Sequence, residues 1–178
     1  MNKQFLALLF AILAAALYAI NIPISKILLK NIHPVLMASF LYLGAGAGMF
    51  GYSLLSRKEQ KSRLTRKELP FTIAMVVLDI IAPILLMIGL KTANSSNASL
   101  LNNFEIVATS IIALFVFKEY ISKIMWIAIL LVTISSTLLS FESLEALRFS
   151  WGSLFILAAC VTWGFENNCT KVLSSKST

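Results

Sequence analysis

Apolar residues form long continuous runs along this chain, and the polar and charged residues collect between them. A helix needs about 20 such residues to cross roughly 30 Å of hydrocarbon. Runs of about that length cover residues 5–28, 35–55, 69–90, 98–117, 124–141 and 151–173. Continuous runs favour helices over membrane strands, in which apolar and polar residues alternate. The pattern therefore predicts an all-α integral membrane protein with six transmembrane helices.

The end of the chain repeats its beginning. Residues 9–28 and 154–173 both contain an aromatic residue followed by a small one, and both end with a hydroxyl residue followed by lysine. The corresponding residues are Tyr18 with Trp163 and Lys26 with Lys171. Repeated apolar segments are typical of transporters. The first run also has features of a signal peptide, but its repetition favours a retained helix.

The repeat divides the chain into two units. Residues 1–145 are predicted to form a five-helix unit, and residues 146–178 the first helix of a second, truncated unit. We expect ten helices in a full-length chain. Because five is odd, the second unit enters the membrane from the opposite side, and the units are inverted. Inverted repeats allow a central site to open to each side in turn.

Positive charge predicts the orientation. Six Lys and Arg residues lie at 57–67, between the second and third runs, and the positive-inside rule places this link in the cytoplasm. Eleven basic residues then lie inside and four outside. The net charge of +7 is explained by attraction to anionic lipid, without a nucleic acid partner. We expect a multi-pass protein of the plasma (inner) membrane with its N-terminus in the cytoplasm.

Four segments carry a resemblance to a known family: residues 18–26, 92–99, 117–119 and 163–171. There the chain resembles the EamA-type proteins of the drug/metabolite transporter superfamily, ten-helix carriers made of two inverted five-helix units. The resemblance implies alternating-access transport of small metabolites or drug-like compounds. The family commonly has a proline early in its fourth helix. This chain has an acidic segment without proline at residues 102–105, so we expect no kink there.

Acidic residues at bilayer depth are costly and therefore indicate a functional site by default. Asp79, Glu105 and Glu166 qualify. Glu105 is the strongest candidate, because Asn102, Glu105 and Thr109 have helical spacing and would share one face of the fourth helix. It is a candidate for substrate binding or proton coupling; the alternative is a structural hydrogen bond between helices.

The other two acids have alternatives of their own. Asp79 precedes Pro83 by one turn, and could instead satisfy a carbonyl freed by the proline. Glu166 corresponds by repeat position to Asn21. The complete set of predicted substrate-binding residues is Tyr18, Asn21, Asp79, Asn102, Glu105, Thr109, Trp163, Glu166 and Asn167. Lys26 and Lys171 are predicted as gating residues, or as lysines that complement their helix ends.

Other protein classes find less support. Cys160 and Cys169 have no disulfide or metal-ligand spacing and are interpreted as small packing residues. We predict no metal, no cofactor and no enzymatic activity, because no nucleophile stands beside a base. A non-transporting scaffold or partner subunit remains the alternative function. The expected partners are a small-molecule substrate, the lipid bilayer and, as a candidate, a second copy of the chain.

Overall fold

Helices make up almost all of the described chain. The structure is a computed structural model that describes residues 3–55, 65–66, 68–140 and 151–174. Within these ranges the chain forms helices and no strands. The helices are α1 (Lys3–Leu28), α2 (Pro34–Leu55), α3 (Leu69–Thr92), α4 (Ser95–Asn102), α5 (Phe104–Phe115), α6 (Lys123–Ser140) and α7 (Trp151–Ser174). The predicted all-α membrane fold is confirmed.

The fourth predicted run consists of two helices rather than one. α4 ends at Asn102 and α5 begins at Phe104, so the expectation of an uninterrupted helix is wrong. At the break, the Ile106 N–H donates to the carbonyl of Asn103, only three residues back. The Asn103 side-chain amide also donates to the Ser99 carbonyl, over 3.5 Å. Asparagine side chains compete for backbone groups in this way, which allows a break without proline.

Four described segments are long and apolar enough to cross a bilayer. They are Phe5–Leu28, Pro34–Leu55, Leu69–Thr92 and Ser95–Phe115, the last spanning both α4 and α5. α6 and α7 coincide with predicted runs but are not in this set. α7 carries Glu166, Asn167 and Asn168 in its second half. For α6 and α7, a transmembrane position stays a prediction, as does the division at residue 145.

α7 is the central helix of the described structure, packed most extensively against α3 and next against α5. Glycines allow this close approach. A Cβ placed on Gly89 of α3 would lie 2.6 Å from the carbonyl oxygen of Gly152 in α7. A Cβ on Gly164 would lie 3.0 Å from the backbone nitrogen of Thr109 in α5. Small residues at helix contacts are a common means of membrane helix association.

α1 and α7 run in opposite directions. Lys26, near the end of α1, contacts the carbonyls at the end of α3. Gly152, at the start of α7, packs against the same end of α3. The end of α1 and the start of α7 therefore lie at one end of the bundle, as inverted repeats require. The charged link at 57–67 lies, apart from Thr65 and Arg66, outside the described residues.

The contact between α3 and α7 generates a stability prediction. Gly89→Val places side-chain atoms where the backbone of α7 now lies, so we expect it to lower the free energy of unfolding by about 1–3 kcal/mol, as overpacking typically does. Gly46→Val is the matched control, because a Cβ on Gly46 meets no atom within 4 Å. Unfolding by denaturing detergent in mixed micelles measures both variants. Equal stability of the two variants would contradict the close packing.

Candidate functional site

One polar junction joins α5 and α7. The Asn167 side-chain nitrogen donates to Oε1 of Glu105 over 3.0 Å and to the Thr109 hydroxyl oxygen over 3.4 Å. Glu105 and Thr109 are four residues apart and so share one face of α5. All three side chains are half-buried. The structure therefore brings together three of the predicted site residues, on two helices.

Asn168 strengthens the same junction. Its side-chain nitrogen donates to the Thr109 carbonyl over 3.0 Å and to the Gly164 carbonyl over 2.7 Å, and the residue is buried. Both N–H groups of the amide thus have acceptors. Interhelical hydrogen bonds in membranes average about 0.6 kcal/mol and reach about 2 kcal/mol. Because each bond contributes so little free energy, these bonds determine the rotation of α7 relative to α5 more than they stabilise the fold.

Tyrosine hydroxyls extend the polar region to four more helices. Asn102 of α4 donates its amide to the Tyr18 hydroxyl of α1 over 3.0 Å. The Tyr42 hydroxyl of α2 donates to Oδ1 of Asp79 in α3 over 2.8 Å. Asp79 thus accepts a hydrogen bond from Tyr42. The alternative interpretation of Asp79, as a partner for a carbonyl freed by Pro83, did not include this contact.

These pairs belong to one cluster because their members lie near the acids of α5 and α7. Glu105 is close enough to interact electrostatically with both Tyr18 and Glu166. Tyr42 stands near Trp163 and Glu166. We call the following residues the polar cluster: Tyr18, Tyr42, Asp79, Asn102, Glu105, Thr109, Trp163, Glu166 and Asn167.

Asn21 is the predicted substrate-binding residue that the structure does not bring into this cluster. Its side-chain oxygen accepts from Ser25, one turn later in α1, over 3.0 Å. Glu166 likewise accepts from its own helix, from Thr170 over 2.6 Å. The carboxylate of Glu166 nevertheless lies near Glu105, whereas Asn21 is oriented toward the end of α1.

Cys160 has a contact that its interpretation as an apolar packing residue did not include. The thiol lies 3.5 Å from the Leu101 carbonyl and 3.8 Å from the Asn102 carbonyl, both next to the break between α4 and α5. The side chain is 1% exposed. A weak donor at this place supplies a partner to carbonyls for which helical bonding is disturbed. The residue therefore supports the helix break in addition to filling space.

Lys26 binds the end of α3. Its ammonium donates to the carbonyls of Leu90, Lys91 and Ala93 over 2.7, 3.1 and 2.6 Å. The last carbonyls of a helix have no partner within the helix and carry partial negative charge. Lys26 thus supplies donors to three of these carbonyls. It lies at a helix end, as the sequence predicts, but the helix end that it complements is that of α3 rather than that of its own helix, α1.

Lys171 has a different partner at the opposite end of the bundle. Its ammonium forms an ion pair with Glu119, just beyond α5. Lys118 precedes that acid with φ of 54°, in the left-handed region that usually favours glycine at helix ends. This turn lets the Glu119 N–H donate to the Ala113 carbonyl over 2.9 Å. The two repeated lysines therefore hold opposite ends of the structure by different contacts.

A cavity of about 350 Å³ lies between the polar cluster and this ion pair. Its lining combines amides, hydroxyls and the ion pair: Thr109, Ser110, Ala113, Glu119, Tyr120, Ile121, Ser122, Met125, Asn167, Asn168 and Lys171. A second space of about 440 Å³ lies on the other side of the contact between α5 and α7 and is apolar, with Phe104 and Ile111 in its lining. In the described ranges, no group of three or more His, Cys, Asp or Glu could hold a metal ion.

Comparison with known proteins agrees with this architecture. Residues 5–141 match the EamA-like transporter family, so the chain belongs to that family, and the resemblance found in the sequence is confirmed. A protein of Methanothermobacter thermautotrophicus described as "Uncharacterized transporter" is 25% identical over 181 residues, covering 93% of this chain and 53% of that protein. The chain thus spans about half the length of this relative. No solved structure matches.

The exposed position of Lys30, one turn beyond Lys26, allows a controlled test of the bond to α3. Lys26→Met keeps the apolar stem but removes the three donors, so we expect a loss of about 1–2 kcal/mol in the free energy of unfolding. Lys30→Met removes the same charge and should change stability by less than about 0.5 kcal/mol, as surface substitutions usually do. Detergent unfolding measures both. A Lys30 variant that loses as much as the Lys26 variant would show that the effect is one of charge alone.

Proposed function

We propose that this chain forms the first half, and the beginning of the second, of an alternating-access carrier for small metabolites or drug-like compounds. The observation that carries the proposal is the junction of Glu105, Thr109 and Asn167, because it joins a carboxylate of α5 to α7, the helix that we infer to begin the second unit. In inverted-repeat carriers the substrate site lies at such a unit interface, near the bilayer midplane. This chain spans about half of the length of the relative, which supports the expectation of a longer carrier with a second unit.

The polar cluster is the proposed substrate site. It combines carboxylates, two amides and aromatic hydroxyls from α1, α2, α3, α4, α5 and α7. Such groups bind polar or amphipathic molecules by hydrogen bonds, while the aromatic rings contact their apolar parts. Charged groups in a membrane generally find a partner, and substrate or a proton would supply one here.

We propose that Lys26 and Lys171 hold the two ends of the carrier. Lys26 ties α1 to α3 at one end, and Lys171 ties α7 to the turn after α5 at the other. Alternating access requires the contacts at one end to open while those at the other stay closed. The exposed ion pair of Lys171 is the weaker of the two, because water screens it, and it is the end that we expect to open first.

Saturable uptake or efflux in proteoliposomes, measured with the complete two-unit protein, tests the carrier function. Glu105→Leu should abolish it by removing the carboxylate from the unit interface, while Leu130→Ala, on an exposed side of α6, should leave it within about twofold, as surface changes distant from a site usually do. A protein that binds a partner chain but shows no flux for any compound class would instead be a scaffold subunit.

Proton coupling through Glu105 predicts a specific pH response. Glu105→Gln keeps the acceptor for Asn167 but cannot exchange a proton, so substrate binding should lose its dependence on pH while the fold is retained. Glu68→Gln is the matched control, because Glu68 lies before α3 and accepts from the Thr65 N–H; its pH profile should equal that of the parent. An unchanged profile in the Glu105 variant would make this residue structural.

The orientation proposal places the plasma membrane around the helices and the N-terminus in the cytoplasm. It rests on the basic residues at 57–67 and on the positive-inside rule. A cysteine introduced by Ser62→Cys should react with an impermeant thiol reagent only after the cell membrane is opened. Strong reaction in intact cells would reverse the orientation.

A further inference from the structure

We propose that the 350 Å³ cavity beside Ser110 is an aqueous path through which Glu105 exchanges protons with the end of the bundle where Lys171 and Glu119 lie. This inference rests on the proposed proton coupling of Glu105 and adds the route, which no comparison assigns. The space is large enough to hold several water molecules, and the side chains of Ser110, Asn167 and Asn168 in its lining can hydrogen-bond to them.

The path is continuous with Glu105 through two residues. Thr109 and Asn167 both line the cavity, and Asn167 donates to Oε1 of Glu105 over 3.0 Å. Thr109 lies one turn beyond Glu105 on the same face of α5. Asn167 therefore separates the carboxylate from the cavity by the width of one side chain. At the far end, Glu119 and Lys171 line the cavity and are partly exposed to solvent.

In the opposite direction along α7, the face that meets α3 is tightly packed. Ile156, Ala159 and Cys160 are each 0–1% exposed, and the start of α7 is in contact with the backbone of α3 at Gly89. Interiors packed at this density leave no room for a chain of water molecules. On this face of α7 no water path continues toward the start of the helix, whereas the cavity reaches the end of the bundle where Glu119 and Lys171 are partly exposed.

The proton step is simple. A hydronium ion in the cavity transfers its proton to a carboxylate oxygen of Glu105, which forms an O–H bond and leaves a water molecule; release reverses the step. Asn167 cannot carry the proton, because an amide is too weak an acid and base. It instead donates to the charged form, and rotation of its amide presents the side-chain oxygen to the neutral form. Asn167 is thus a positioning residue.

Several other groups face Glu105 and share its environment. Tyr18 approaches from α1, and Cys160 and Glu166 approach from α7. From the start of α6, the cavity receives Met125, with Ser122 just before it. Glu166 is the nearest second acid, so a variant that changes it would also change the charge seen by Glu105. The test below leaves all of these residues unchanged.

Carboxyl labelling tests the path without substrate or transport. Sealed membrane vesicles of each orientation receive a water-soluble carbodiimide and taurine, a charged amine that does not cross the bilayer, and mass spectrometry identifies modified carboxyls. We expect Glu105 to be modified only from the side on which the Ser62→Cys test places the 57–67 link. Ser110→Leu fills the cavity and should slow this modification by about tenfold. Ile111→Leu is the matched control, since Ile111 faces the apolar space on the other side of α5, and should keep the parent rate.

Blocking after folding removes the risk that Ser110→Leu misfolds. The Ser110→Cys variant is allowed to fold, and the introduced cysteine is then modified with an impermeant thiol reagent that blocks the cavity. Glu105 labelling should fall only after that treatment. Equal labelling from both sides, labelling by a hydrophobic carbodiimide alone, or a rate that neither block affects would overturn the proposed path. Failure of the Glu105→Gln pH test with intact labelling would refute proton coupling and leave the aqueous path in place.

Discussion

The structure depends on the hydrogen bonds that the amide side chains of α7 form with α5. Water is absent from the hydrocarbon region, so each buried polar group requires a partner within the protein. Asn168 uses both of its N–H groups on carbonyls, one of them in α5, and Asn167 bonds to Glu105 and Thr109. These bonds determine which face of α7 meets α5. They thereby place Glu105 of α5 beside α7.

Glycine packing makes that arrangement possible. Hydrogen bonds between membrane helices contribute about 1 kcal/mol each, too little to force badly matched surfaces together. The close approach at Gly89, Gly152 and Gly164 brings the backbones near enough for short amide side chains to reach across. By contrast, Gly46 and the other glycines of α2 have no atom within 4 Å of a Cβ. Glycine content alone therefore did not indicate which helix would be central.

The sequence predicted the helices well because apolar runs of membrane length have few alternative structures. It also predicted that Glu105 and Thr109 would share a face, since helical spacing fixes that relation. It did not predict the break at Asn103, which depends on side-chain competition and on the Cys160 thiol from another helix. Tyr42, Asn168 and Cys160 were not identified for a similar reason: their partners are distant in sequence. The presence of Asp79 in α3 did indicate that a neighbouring helix should supply a hydrogen-bond donor, and the Tyr42 hydroxyl is that donor.

Cross-linking across the α5–α7 junction tests the central claim most directly. In the membrane-embedded protein, Thr109→Cys combined with Asn168→Cys should form a disulfide on mild oxidation, because the Asn168 amide reaches the Thr109 carbonyl over 3.0 Å. Thr109→Cys with Leu154→Cys is the control, as residue 154 lies roughly 20 Å from residue 168 along α7 at 1.5 Å per residue. The account predicts a cross-link in the first pair and none in the second. Absence of the first cross-link, with formation of the second, would contradict the register of α7 against α5 and the site built on it.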